Sequence, residues 1–158
     1  MFSFVERESA MRKSILLAVA ISLVAGSAFA EDAAKPAGVE SKKAPAGASV
    51  FIISPKDGET VGQEFTVKFG AKGVAIRPAG DPTPGTGHHH LLIDGAELPA
   101  GNLPIPNDAT HKHYGKGQTE DTIKLAPGDH TLQLDFADLA HVPFAPPLVS
   151  KKITVHVK

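Results

Sequence analysis

The chain contains no cysteine. That excludes disulfide staples, a thiol nucleophile and any thiolate metal site. Its two methionines, Met1 and Met11, both lie close to the N-terminus. The remainder has no soft sulfur donor, which excludes a blue-copper centre and disfavours Cu(I). An excess of charge is also lacking: 16 Lys+Arg against 17 Asp+Glu give a formal net charge of −1. No basic stripe marks a nucleic-acid partner. Nothing after residue 30 approaches the roughly 20 apolar residues that span a bilayer, so no transmembrane segment is expected there. Helical periodicity is absent from the same region. Catalytic motifs are missing too, with no nucleophile elbow and no His-Glu-x-x-His. Gly115-Lys116-Gly117-Gln118-Thr119 lacks the spacing of a phosphate loop and reads as a tight turn.

What is present begins with an export signal. Arg12 and Lys13 precede an apolar run from Ile15 to Ala25, and Ala28-Phe29-Ala30 supplies a small-x-small cleavage motif. Residues 1–30 therefore read as a secretory signal peptide, and the protein as periplasmic or secreted. Met11 is the more natural start, because Glu6 and Glu8 stand ahead of the basic region. Residues 31–48, rich in Ala, Pro and Lys, read as a flexible linker. Residues 49–158 remain as one domain. At about 110 residues it buries roughly two-thirds of its unfolded surface, enough for a core without staples.

Short alternating segments fill that domain. Val50–Ile53 is apolar and ends at Ser54-Pro55; Glu64–Phe69 puts Phe65, Val67 and Phe69 on one face. Gly87–Asp94 is a strand that closes on the turn Asp94-Gly95. Thr122–Leu125 follows, then His130–Phe136 with Leu132, Leu134 and Phe136 together, then Val149–Lys158 with Ile153, Val155 and Val157 inward. Six or seven short strands with Pro/Gly turns predict an all-β fold, an antiparallel immunoglobulin-like β-sandwich, with a small β-barrel as the alternative. The connection Gly95–Asp121 far exceeds the about 12–15 residues above which structureless loops become uncommon and often functional.

The chemistry sits in the histidines. Five of the eight lie between His88 and His113. Strand alternation groups His89 with Leu91 and Ile93, in the core or at its rim, and leaves His88 and His90 on the other face. His111 and His113 repeat the same spacing in the long loop, and His141 lies in the later Pro-broken loop Asp138–Pro147. Residues two apart on a strand stand about 6.5–7 Å apart, close enough for two rings to meet one ion. His88, His90, His111, His113 and His141 are the candidate metal ligands, and Asp94, Glu120 and Asp138 the carboxylates that would orient their rings. Nitrogen donors alone favour zinc, Cu(II) or nickel. The competing reading has the same rings bonding to carbonyls and carboxylates and bracing two long loops. His130 reads as structural, and His156, between Val155 and Val157, as solvent-facing.

The triple-histidine strand, the segment His111–Thr119 and Pro127-Gly128-Asp129-His130-Thr131-Leu132-Gln133-Leu134 together resemble a family of secreted bacterial domains, the domain-of-unknown-function 4399 family. The resemblance covers nearly all of Phe51 to Val157. Asp138, His141 and Pro146-Pro147-Leu148-Val149-Ser150 match its later segment. A second histidine often found there is Phe144 in this chain. The resemblance implies an exported β-domain and no particular activity. The sequence thus predicts an exported binding module with a histidine-lined patch for zinc, Cu(II) or a small anionic ligand. A structural or interaction domain and a metal-dependent hydrolase are the alternatives. No catalytic residue is nominated, and the balance is against an enzyme.

Overall fold

A computed structural model describes residues 40–99 and 103–158. The expected signal peptide and most of the linker lie outside these residues. Among the described residues there is no helix. The strands are β1 (Ser49–Ser54), β2 (Glu59–Val61), β3 (Glu64–Lys72), β4 (Ala75–Ile76), β5 (Thr86–Ile93), β6 (His111–His113), β7 (Glu120–Lys124), β8 (Gly128–Ala137), β9 (Pro143–Val149) and β10 (Ile153–Val157). They form two sheets. The smaller has the order β1-β3-β7; the larger runs β2-β10-β8-β5-β4, with β6 added to β5 and β9 to β8. Most pairings are antiparallel, but β2 with β10 and β4 with β5 are short parallel pairs.

Alternation in the sequence becomes burial on one face. Leu132, Leu134 and Phe136 of β8 are fully buried, as are Val67 of β3 and Val155 of β10. With Phe69, Leu91, Ile93 and Ile123 they belong to one apolar cluster drawn from both sheets. Phe65 is only half-buried at its margin. Burying a leucine-sized side chain contributes about 1.5–3 kcal/mol, so this shared face holds the sheets without covalent help.

β5 departs from one-sided burial. All eight of its residues are buried. It pairs along its length with β8 on one edge and with β6 and β4 on the other. His89, Leu91 and Ile93 face the core; His88, His90 and Leu92 face away from it. Leu92, Ile105, Ala137 and Val142 are buried yet stand outside the core cluster. The two long loops meet here, where the Ile105 amide donates to the His141 carbonyl at 2.9 Å. Four strands form where the sequence suggests only loop. β6 lies in the long connection, β9 in the Pro-broken segment, β4 in the Pro-rich stretch before β5, and β2 beside the turn Lys56-Asp57-Gly58. β9 accommodates Pro146 and Pro147 because Ala145, Pro146 and Pro147 are exposed, where a missing amide costs no ladder bond. Its last residue is Val149, so β10 begins later than expected, at Ile153.

The end of the expected linker contacts the domain. Lys42 Nζ pairs with Asp138 at 2.9 Å, its carbonyl accepts the Ala145 amide at 2.8 Å, and Ala44 packs against the core.

Candidate metal centre

Four imidazoles converge on the outward face of β5. His88, His90, His113 and His141 each offer one ring nitrogen, and these four atoms lie within 4.8 Å of one another. Three separate segments supply them. His88 and His90 come from alternate positions of β5. His113 comes from β6, whose register places it directly opposite His90. His141 comes from the loop between β8 and β9.

Each ring is positioned by its local backbone. β5 approaches β8 closely at Gly87, where a Cβ would overlap the Ala137 carbonyl; any larger residue would push His88 away. A Cβ on Gly115 would likewise overlap the His113 ring. Glycine there is required by the imidazole, whereas Gly117, at φ 78°, is required by the turn. His141 adopts a left-handed backbone, φ 66°, which costs a non-glycine residue roughly 1–2 kcal/mol. Asp138 over-determines that turn. Its Oδ1 accepts the amides of Ala140 at 2.9 Å and Val142 at 3.1 Å, its carbonyl accepts the His141 amide at 3.0 Å, and Oδ2 holds Lys42.

His88 Nε2 lies 3.1 Å from His141 Nδ1 and 3.2 Å from His90 Nε2. A neutral ring nitrogen is either donor or acceptor, and three such atoms facing one point fit a cation better than one another. With metal–nitrogen bonds of about 2.0–2.1 Å, tetrahedral ligand nitrogens stand roughly 3.3–3.4 Å apart. The two short gaps are therefore close to the spacing an ion would set. His88 and His90 are fully buried; His113 and His141 are half-buried.

Burial disfavours the charged form of His88, His90 and His113. It holds His88 down to about 4, with the neighbouring His113 and His141 adding to the effect and Asp138 opposing it. It holds His90 down to about 2, followed by repulsion from His88, His113 and His141. His113 is lowered by burial and then by His141. Metal ligation needs neutral imidazole, so the lone pairs of His88, His90 and His113 are available at neutral pH.

The family model for Domain of unknown function (DUF4399) matches residues 67–158, a span that contains every histidine of the cluster. The chain belongs to this family. No curated protein and no solved structure matches it.

Other candidate residues of this DUF4399 domain go elsewhere. His111 is not brought into the cluster. Its Nδ1 bonds Asp108 at 2.9 Å and its Nε2 donates to the Glu97 carbonyl at 3.1 Å. Asp94 bonds the ring of His130 at 2.9 Å, and Glu120 pairs loosely with Lys68 at 3.7 Å; neither contacts the cluster. Asp138 acts by building the His141 turn. His89 faces the core, edge-on to Phe69 and Phe136 with centroids 5.0 Å away in each case, and neither ring nitrogen has a partner. His156 bonds Asp129 at 2.6 Å and is exposed on its ring. Phe144 is buried in the core and stacked on Phe136, so that position faces away from the cluster.

Sequence reasoning missed Asp135. It is fully buried, and desolvation pushes its carboxyl up to about 7, opposed in part by the Phe136 amide, which does not meet hydrogen-bond geometry.

Proposed function

We propose that this protein is an exported metal-binding β-domain whose His88, His90, His113 and His141 hold one divalent transition ion, zinc or Cu(II). The observation that carries the reading is the convergence of four imidazoles from three chain segments. The left-handed His141 supports it, since backbone strain of this kind concentrates at functional sites. So do the buried nitrogens His88 Nδ1, His90 Nδ1 and His113 Nε2, which lack hydrogen-bond partners among the described residues. Rings that merely braced loops would use those atoms, as His111 and His130 do.

Export to the periplasm or exterior rests on the basic-apolar-small pattern of residues 12–30. We take the fold as an immunoglobulin-like sandwich, supported by one core cluster shared between the sheets. Calorimetric titration of chelator-treated, untagged protein with zinc and with Cu(II) tests the proposal. Binding tighter than about 10 μM, equivalent to roughly 7 kcal/mol, is expected for at least one ion. Weaker binding of both overturns it.

A further inference from the structure

Among the described residues neither carboxylate oxygen of Asp135 has a hydrogen-bond partner, although the residue is fully buried. A buried charge without compensation is costly, and such groups are rare without a purpose. Asp135 stands on β8 as the register partner of His90 on β5. Directly opposed residues leave a sheet on the same face with Cβ atoms about 4.5–5.5 Å apart. Asp135 therefore shares the face of the histidine cluster. His90 turns Nε2 toward His88, and its other nitrogen, Nδ1, is buried without a partner. An ion on Nε2 leaves the proton on Nδ1. A ligand imidazole almost always donates that proton to a carboxylate, a carbonyl or water.

Charge points the same way. Four imidazoles bring no negative charge to a dication removed from water. The other carboxylates considered for the site have partners: Asp138 holds Lys42 and two amides, Asp94 holds His130, and Glu120 pairs with Lys68. We propose that Asp135 is the counter-carboxylate of the centre: with an ion bound it accepts the Nδ1–H of His90, a bond the two residues do not make in this structure, and neutralises part of the ion's charge. This rests on the four-histidine reading and makes Asp135 a positioning residue rather than a ligand.

Zinc titration of untagged, chelator-treated wild type and Asp135→Asn tests it, with melts of both metal-free proteins alongside. The variant should bind zinc about 10–100-fold more weakly, the usual loss when such a partner is removed. Its metal-free melting temperature should not fall, because an unpaired buried carboxyl contributes nothing there. Asp129→Asn, at an exposed carboxylate, should bind as wild type. Equal zinc affinity of Asp135→Asn and wild type overturns the role of Asp135 and leaves the four-histidine site standing. No zinc or Cu(II) binding by wild type removes the site itself and the role of Asp135 with it. Nitrogen-15 NMR of zinc-loaded wild type needs no variant to fold. A slowly exchanging, downfield Nδ1–H on His90 is expected, and its absence overturns the proposal.

Discussion

At Gly115 a single methyl group would occupy the space of the His113 ring. Gly115→Ala should therefore weaken zinc binding at least tenfold while leaving the core intact, checked by titration and by thermal melts without metal. His89 gives the opposite case. Its two unpartnered nitrogens lie in an apolar environment, and a buried unsatisfied polar atom costs about 1–3 kcal/mol. His89→Leu should leave zinc affinity unchanged and hold or raise metal-free stability in urea unfolding. Strand parity made the sides of β5 legible from sequence alone. It placed His88 and His90 together and His89 with Leu91. The same parity grouped His111 with His113, but register, invisible in one sequence, sets His113 opposite His90 and His111 opposite Leu92. Asp135 was illegible for a related reason. Between Leu134 and Phe136 a carboxylate reads as solvent-facing, until β8 is paired with a strand buried on both faces.

Among the elements, β8 pairs with β5, β9 and β10, as many partners as β5 has. Leu134→Ala at its centre should cost about 2–5 kcal/mol, measured by denaturant unfolding; a loss under about 0.5 kcal/mol, the usual surface range, would contradict the packing. The β8–β9 loop depends on Asp138, so Asp138→Ala should free two amides and release His141 from its turn. Zinc affinity should fall while β-sheet content by circular dichroism is retained. The strands β3, β8 and β10 were legible because alternation over five or more residues is a strong signal, and β5 because its aliphatic run closes on the turn Asp94-Gly95. β6 and β9 were not. Three residues give β6 no period, and Pro146 and Pro147 disguise a strand whose exposed positions tolerate them.

For the whole molecule, acid is the informative stress. His88 and His89 titrate in the fold near 4 and His90 near 2, against 6.5 in the unfolded chain. Each contributes stability that is complete above pH 6.5 and lost as pH falls toward the folded value, because only the unfolded chain takes up the proton. Asp135 opposes this. Its folded value near 7 lies above 3.8, so its contribution is complete below 3.8 and lost as pH rises through 7. His130, raised by Asp94, acts in the same direction as Asp135 near its own range. Three strongly lowered rings, with His113 also lowered, outweigh these two. Metal-free protein should melt at a lower temperature at pH 5 than at pH 7.5; equal values would mean the rings are solvated. At pH 7.5, zinc at a hundredfold excess over Kd should add about 2.7 kcal/mol, and His88→Ala with His90→Ala should abolish that gain.

A chain without cysteine has no covalent means of tying distant segments together. The His88–His90–His113–His141 arrangement offers a reversible one. An ion held there would join the middle of β5 to β6 and to the loop before β9, closing two large loops of the chain at one point. The knot would be tied by metal supply and untied by a chelator. Its mark would be dynamic as well as thermodynamic. The amides of Ile105 and Tyr114, which bond across these segments, should exchange with deuterium more slowly in zinc. Those of β1, on the other sheet, should keep their rates.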